Sequence, residues 1–184
     1  MDNPKRAVFL DRDGVINEEV NYLHECDKTI LIPGVPEALK LLKQHNYLLI
    51  VVTNQAGVAK KLFPEEDVSA VNKHINELLL PTGVQIDRFY YCPHHPDFTG
   101  KCSCRKPEPG MLLQAIEDFY IDPAQSFLVG DRLSDLNAGR NAKCKAVFLV
   151  KSGYGEKTLA NENILDAVVV ENLLAAAKLI VSQE

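Results

Sequence analysis

Two aspartates stand two residues apart in the segment FLDRDGV, at Asp11 and Asp13. Residues so spaced in an extended chain point the same way, so both carboxylates can face one site. One carboxylate can attack phosphorus to give an aspartyl-phosphate. The other can protonate the leaving oxygen and then deprotonate the hydrolytic water. A third acid, Asp131 in LVGDRLSD, joins Asp11 and a backbone carbonyl near Asp13 in an oxygen set suited to Mg²⁺, a hard cation that keeps several waters. Thr53, in VVTNQ, can donate to phosphoryl oxygens, and Lys106 can supply positive charge where negative charge develops. Gly14 lets the chain turn away after the acids. Singly, these are common surface features, and a DxDG segment alone is most often a turn. Their order and convergence give them weight.

A second cluster is chemically different. Residues 92–104 read CPHHPDFTGKCSC. Cys92, His94, Cys102 and Cys104 offer three sulfurs and one imidazole, a set that suits tetrahedral zinc with no open position, a structural site. His95 competes with His94, since adjacent side chains seldom both reach one ion. The spacing is not that of the common zinc fingers, and reduced loop thiols are the plain alternative. A redox role is disfavoured because no C-x-x-C occurs. Cys26 and Cys144 read as core or surface thiols.

The elements that must position these residues alternate in type. Apolar runs predict strands over 7–10, 47–52, 86–91, 126–130, 145–150 and 168–170. Patterns of helical period predict helices over 34–45, 64–79, 110–119, 134–142 and 172–182, with 92–110 as a Cys/His/Pro-rich loop. Near-continuous apolar strands alternating with helices imply an α/β fold with a parallel sheet covered on both faces. Ligands bind such sheets at the carboxyl ends of the strands. Asp11 and Asp13 follow the first strand, Thr53 and Asn54 the second, and Asp131 the fourth; Lys106 precedes a helix that can bring it to the same edge.

The totals bound the partners. The 184 residues fit one domain, 1–184, and the hydrophobic fraction of 46% can bury a core without disulfides. A net charge of −5 announces no nucleic-acid or membrane partner. The apolar stretch before Asp11 is too short for a signal-peptide core, and no run approaches a membrane span of ~20 residues. A cytoplasmic protein, most simply a monomer, is the expectation.

DRDG, TNQ, RKP and GDR-x-x-D resemble, in order, the four motifs of the haloacid dehalogenase-like (HAD) phosphatase superfamily. The resemblance implies a Rossmann-like three-layer sandwich. It makes Asp11 the nucleophile, Asp13 the general acid/base, Thr53 and Lys106 the phosphoryl stabilisers, and Asp131 a Mg²⁺ ligand. Asp135 would hold the metal site or Lys106 in place. Within the superfamily, CPHHP and C-x-C-R-K-P-x-P-G-M look like the heptose bisphosphate phosphatases, small enzymes of ADP- or GDP-heptose biosynthesis. That likeness covers nearly the whole chain. It implies a catalytic unit with no large cap domain, a zinc-binding loop insertion that shapes the pocket, and a small phosphorylated sugar as substrate. It brings Glu19 to Tyr22, Thr53 to Ala56 (with Asn54 and Gln55), Arg105 and Arg132 into the substrate site. Where that family has Arg-Gly-aromatic after TNQ, this chain has Lys60-Lys61-Leu62-Phe63.

Two rivals stand beside this reading. Histidinol-phosphate phosphatase shares the motifs and a similar zinc loop, and comparative kinetics separates the two. A zinc-stabilised binding module without catalysis is the other, and an assay with and without Mg²⁺ separates it.

Overall fold

The structure is a computed structural model and describes residues 3–183; the expected span 1–184 therefore has Met1, Asp2 and Glu184 outside the described residues. Six strands form one sheet: β1 (Arg6–Leu10), β2 (Tyr47–Asn54), β3 (Arg88–Cys92), β4 (Phe127–Gly130), β5 (Ala146–Val150) and β6 (Val168–Val170). Every pairing is parallel and the order is β3-β2-β1-β4-β5-β6. Successive strands run outward in both directions from the β1–β4 pair. A doubly wound sheet binds ligands at such a switch point.

The helices are α1 (Val35–Gln44), α2 (Ala56–Ala59), α3 (Glu65–Leu79), α4 (Pro96–Thr99), α5 (Gly110–Phe119), α6 (Leu133–Asn141), α7 (Gly155–Asn161) and α8 (Leu173–Val181). Side chains alternate across the sheet, so each strand feeds two cores. Val8, Leu10, Leu49, Val51 and Val129 meet α1, α3 and α8; Ala7, Phe9, Ile50, Val52 and Leu128 meet α5 and α6. In α1 the buried residues are Val35, Ala38, Leu39 and Leu42, one stripe at helical spacing. Each fully buried Leu or Ile contributes about 1.5–3 kcal/mol. The rigid edge that results is what holds the polar residues in place.

The expected elements are all present, with shifts that have local causes. β2 runs on through Thr53 and Asn54, which pair with Tyr91 and Cys92, so these two residues end the strand rather than follow it. β3 starts at Arg88, not at residue 86. The Asn76 amide takes both backbone groups of Ile86 (2.9 and 3.2 Å), and the Asp87 carboxylate takes the Leu49 N–H (2.7 Å) in place of a ladder bond. The short helix α4 lies inside the expected loop 92–110, and α2 and α7 lie in stretches for which the sequence pattern indicated no element, because four to seven residues are too few to show a helical period. No helix among the described residues is long and apolar enough to cross a membrane.

Candidate active site

The carboxyl ends of β1, β2 and β4 gather the expected residues. Asp11 extends β1, its N–H bonded to Val129 O of β4 at 3.0 Å. Its Oδ1 accepts from Arg12 N (2.8 Å) and lies 2.9 Å from Lys106 Nζ. The same ammonium stands 2.7 Å from Asp135 Oδ1 and donates to Val52 O at 2.7 Å. Lys106 is therefore buried between two carboxylates. Against the burial that would lower it, Asp11 and Asp135 hold its pKa above the ordinary value.

Asp131 is wholly buried at the end of β4. Its Oδ2 accepts from Tyr154 N at 2.7 Å, while its Oδ1 has no hydrogen-bond partner among the described residues. Asp135, in the first turn of α6, accepts from Asp131 N (3.2 Å) and Arg132 N (2.9 Å), so the helix start itself aims it at the site. Burial pushes Asp131 up to about 8, with Asp11 and Asp135 adding repulsion. Burial likewise raises Asp11 to about 6, with Lys106 pulling it down and Asp135 pushing it up. Carboxylate oxygens of Asp11, Asp131 and Asp135 lie within 4.8 Å of one another.

This surplus of buried negative charge, with an orphaned Asp131 oxygen aimed into it, fits a divalent cation. The surrounding backbone packs closely on Asp131. Gly14 (φ 84°) and Gly153 (φ 60°) lie against each other and against the Asp131 carboxylate, and a Cβ on either would fall 2.3 Å from Oδ2. Only residues without a Cβ let both loops approach so closely.

Asp13 sits at the mouth of this cluster. Asn17 Nδ2 (2.9 Å) and Gln55 Nε2 (3.0 Å) donate to its carboxylate, and Arg12 faces it at 3.1 Å. Gln55 Nε2 also reaches Thr53 Oγ1 at 2.9 Å. Beyond lies a cavity of about 430 Å³, lined by Asp11, Asp13, Thr53 and Lys106 and by every expected substrate-binding residue: Glu19, Tyr22, Asn54, Gln55, Arg105 and Arg132. Burial, reinforced by Asp13, raises Glu19 to about 7. Asp131 lies beneath the floor rather than on the wall.

Sequence reasoning missed several contributors to the site. Tyr154 supports Arg132, whose guanidinium lies 3.7 Å over the ring. Gly153 shapes the Asp131 site. Lys60 lines the cavity and donates to Tyr22 Oη at 2.6 Å. Applying the rule of looking just past each strand to β5 would have flagged Gly153 and Tyr154; no local signal marks Lys60.

The Cys/His set also assembles. Cys92 Sγ is 3.6 Å from Cys102 Sγ and 2.9 Å from Cys104 Sγ, which is itself 3.4 Å from Cys102. His94 Nδ1 lies 3.3 Å from Cys104 and 3.7 Å from Cys92. A tetrahedral ion with bonds of about 2.3 Å spaces its sulfurs by about 3.7 Å, so the four groups fit a zinc-sized cation after small expansion. His95 is elsewhere: it caps α4, accepting from Asp97 N, and its ring packs edge-on to Phe98 at 5.3 Å. Arg105 Nη1 donates to His94 O at 3.1 Å, linking the cluster to the cavity wall.

Residues 103–176 match a family model described as HAD-hydrolase-like. A protein of Pasteurella multocida, named D-glycero-beta-D-manno-heptose-1,7-bisphosphate 7-phosphatase, is 48% identical over 81% of this chain and 83% of its own. A Haemophilus influenzae protein of the same name is 43% identical over 89% of this chain and 93% of its own. Among solved structures, a D,D-heptose 1,7-bisphosphate phosphatase from B. bronchiseptica, complexed with magnesium and phosphate, superposes with a TM-score of 0.90. It is 35% identical and covers 97% of this chain and 99% of its own.

Proposed function

The chain belongs to the HAD-like family of D-glycero-beta-D-manno-heptose-1,7-bisphosphate 7-phosphatases, and from that membership we propose that it removes the 7-phosphate of the β-anomer of heptose 1,7-bisphosphate. The observation that carries this reading is the buried Asp11–Lys106–Asp135 bridge opening onto a cavity lined by Arg105 and Arg132. One end handles a phosphoryl group, and the other presents cations to a second anionic group.

In this mechanism the Asp11 carboxylate forms a bond to phosphorus as the P–O7 bond breaks. Asp13 delivers its proton to O7, and heptose 1-phosphate departs. Asp13 then takes a proton from water as that water displaces Asp11 from phosphorus. Lys106 and Thr53 meet the phosphoryl oxygens as their charge grows. Asp11, the Asp13 carbonyl and Asp131, steadied by Asp135, would hold Mg²⁺, which supplies neutralising positive charge to the phosphoryl group. Cys92, His94, Cys102 and Cys104 would hold a structural Zn²⁺ that fixes the loop carrying Arg105. A single domain acting as a monomer in the cytoplasm completes the reading.

The test is turnover of the β-bisphosphate followed by ³¹P NMR, with the α-anomer and histidinol phosphate as competitors. The proposal expects loss of the C7 signal alone, Mg²⁺ dependence, and a higher kcat/KM for the β-anomer than for either competitor. Preference for histidinol phosphate, or release from C1, contradicts it.

A further inference from the structure

Arg12 stands between the two aspartates of DRDG and is fully buried. Strict alternation would send its side chain away from Asp11 and Asp13. Instead the guanidinium doubles back. Nε lies 3.2 and 3.3 Å from the Asp13 oxygens, and Nη2 lies 3.1 Å from Oδ2. The remaining donors are anchored: Nη1 to Asn72 Oδ1 of α3 at 3.1 Å, and Nη2 also to Leu23 O at 3.4 Å. Leu23 belongs to the loop that walls the cavity. A rigid fork of donors fastened on three sides fixes a carboxylate in one plane. A permanently charged group is costly to bury unless its countercharge is also held in place. Here the carboxyl group that faces it, at 3.1 Å, is that of Asp13.

We propose that Arg12 is the positioning residue for proton transfer at O7. It holds the Asp13 carboxylate from behind, with Asn17 and Gln55 at its flanks, and ties its position to α3 and to the cavity wall. The inference rests on the reading of Asp13 as proton donor. It predicts a particular kind of damage. An alkoxide is a strong base and needs its proton as P–O7 breaks, whereas a dinitrophenolate leaves without one. A misplaced acid therefore slows the first reaction and spares the second.

The experiment measures single-turnover leaving-group release from heptose bisphosphate and from 2,4-dinitrophenyl phosphate, for Arg12→Lys, Asn72→Ala and Asp13→Asn, with Tm for each. Arg12→Lys keeps the charge but cannot form the fork. It should slow sugar release by about 10- to 100-fold and dinitrophenolate release by less than about 3-fold. Asn72→Ala, which leaves Arg12 in place without one anchor, should split the substrates in the same direction by less, and it decides the matter if the lysine variant does not fold. Asp13→Asn should split them most. Equal losses for both substrates in the Arg12 and Asn72 variants, while Asp13→Asn still splits them, overturn the proposal and reduce Arg12 to a structural brace. If Asp13→Asn itself fails to split them, the proton-donor reading of Asp13 falls, and the role of Arg12 falls with it.

Discussion

The side-chain amide of Asn54 brackets the backbone of Lys106: its Oδ1 accepts the Lys106 N–H at 3.1 Å and its Nδ2 donates to the Lys106 carbonyl at 3.2 Å. An amide on the last residue of β2 thus pairs with a loop far along the chain as a neighbouring strand would. Asn54 lines the cavity, yet its polar groups are spent on placing the lysine. Asn54→Ala leaves two backbone groups unpaired, a loss of about 1–3 kcal/mol of stability. Because it loosens Lys106, it should lower kcat about 10- to 100-fold for phosphates with good and poor leaving groups alike. Steady-state kinetics on both substrates checks this; an unchanged kcat removes the positioning role.

The metal-free protein should become less stable as pH rises. Asp131, ordinarily near 3.8, is raised to about 8 in the folded state. Between those values the native state holds a proton that the unfolded chain has released, so unfolding free energy falls across the window. Mg²⁺ opposes that loss, and its Tm increment should be larger at pH 8 than at pH 5. Asp131→Asn removes the charge, so its metal-free Tm at pH 8 should exceed the parent's by about 3–8 °C, and its response to Mg²⁺ should vanish. Calorimetry at both pH values decides; a flat metal-free Tm for the parent speaks against the electrostatic account.

Zinc should be present at one ion per chain and be separate from Mg²⁺. Cys102→Ser breaks the set of four and should release the ion with a loss of more than about 4 kcal/mol of stability. Metal analysis and chemical denaturation read this out. Full stability in a zinc-free preparation would set the ligand assignment aside.

Arg105→Ala should separate substrates. A charged hydrogen bond to the second phosphate is worth roughly 1.5–3 kcal/mol, so kcat/KM for the bisphosphate should fall about 10- to 150-fold. A simple aryl phosphate lacks that group and should change only a few-fold. The Arg105 bond to His94 O offers the contrary outcome: equal losses for both substrates would make it a brace of the metal loop.

The fold was legible because its strands are buried on both faces and read as unbroken apolar runs; AVFL, FLVG and VFLV need no tertiary information. The site was legible wherever a chemically distinctive residue follows such a run, as Asp11, Thr53 and Asp131 do. What was missed depends on loop paths. Lys60 reaches the cavity only because α2 turns it back toward Tyr22. Arg12 faces Asp13 only because the chain curls after β1, where Arg12 O accepts from Ile16 N at 2.9 Å. His94 and His95 could not be separated by spacing; α4 separates them, taking His95 as its cap.

The central claim is that the phosphoryl group passes through the Asp11 carboxylate, and trapping that intermediate tests it most directly. Asp13→Asn enzyme, which lacks the base for the second step, is mixed with 2,4-dinitrophenyl phosphate, quenched in acid, reduced with borohydride and mapped by peptide mass spectrometry. Reduction of an aspartyl-phosphate leaves homoserine. The account predicts homoserine at position 11 in the sample given substrate and aspartate at position 11 in the sample without it. A burst of dinitrophenolate accompanied by an unmodified Asp11 would contradict it.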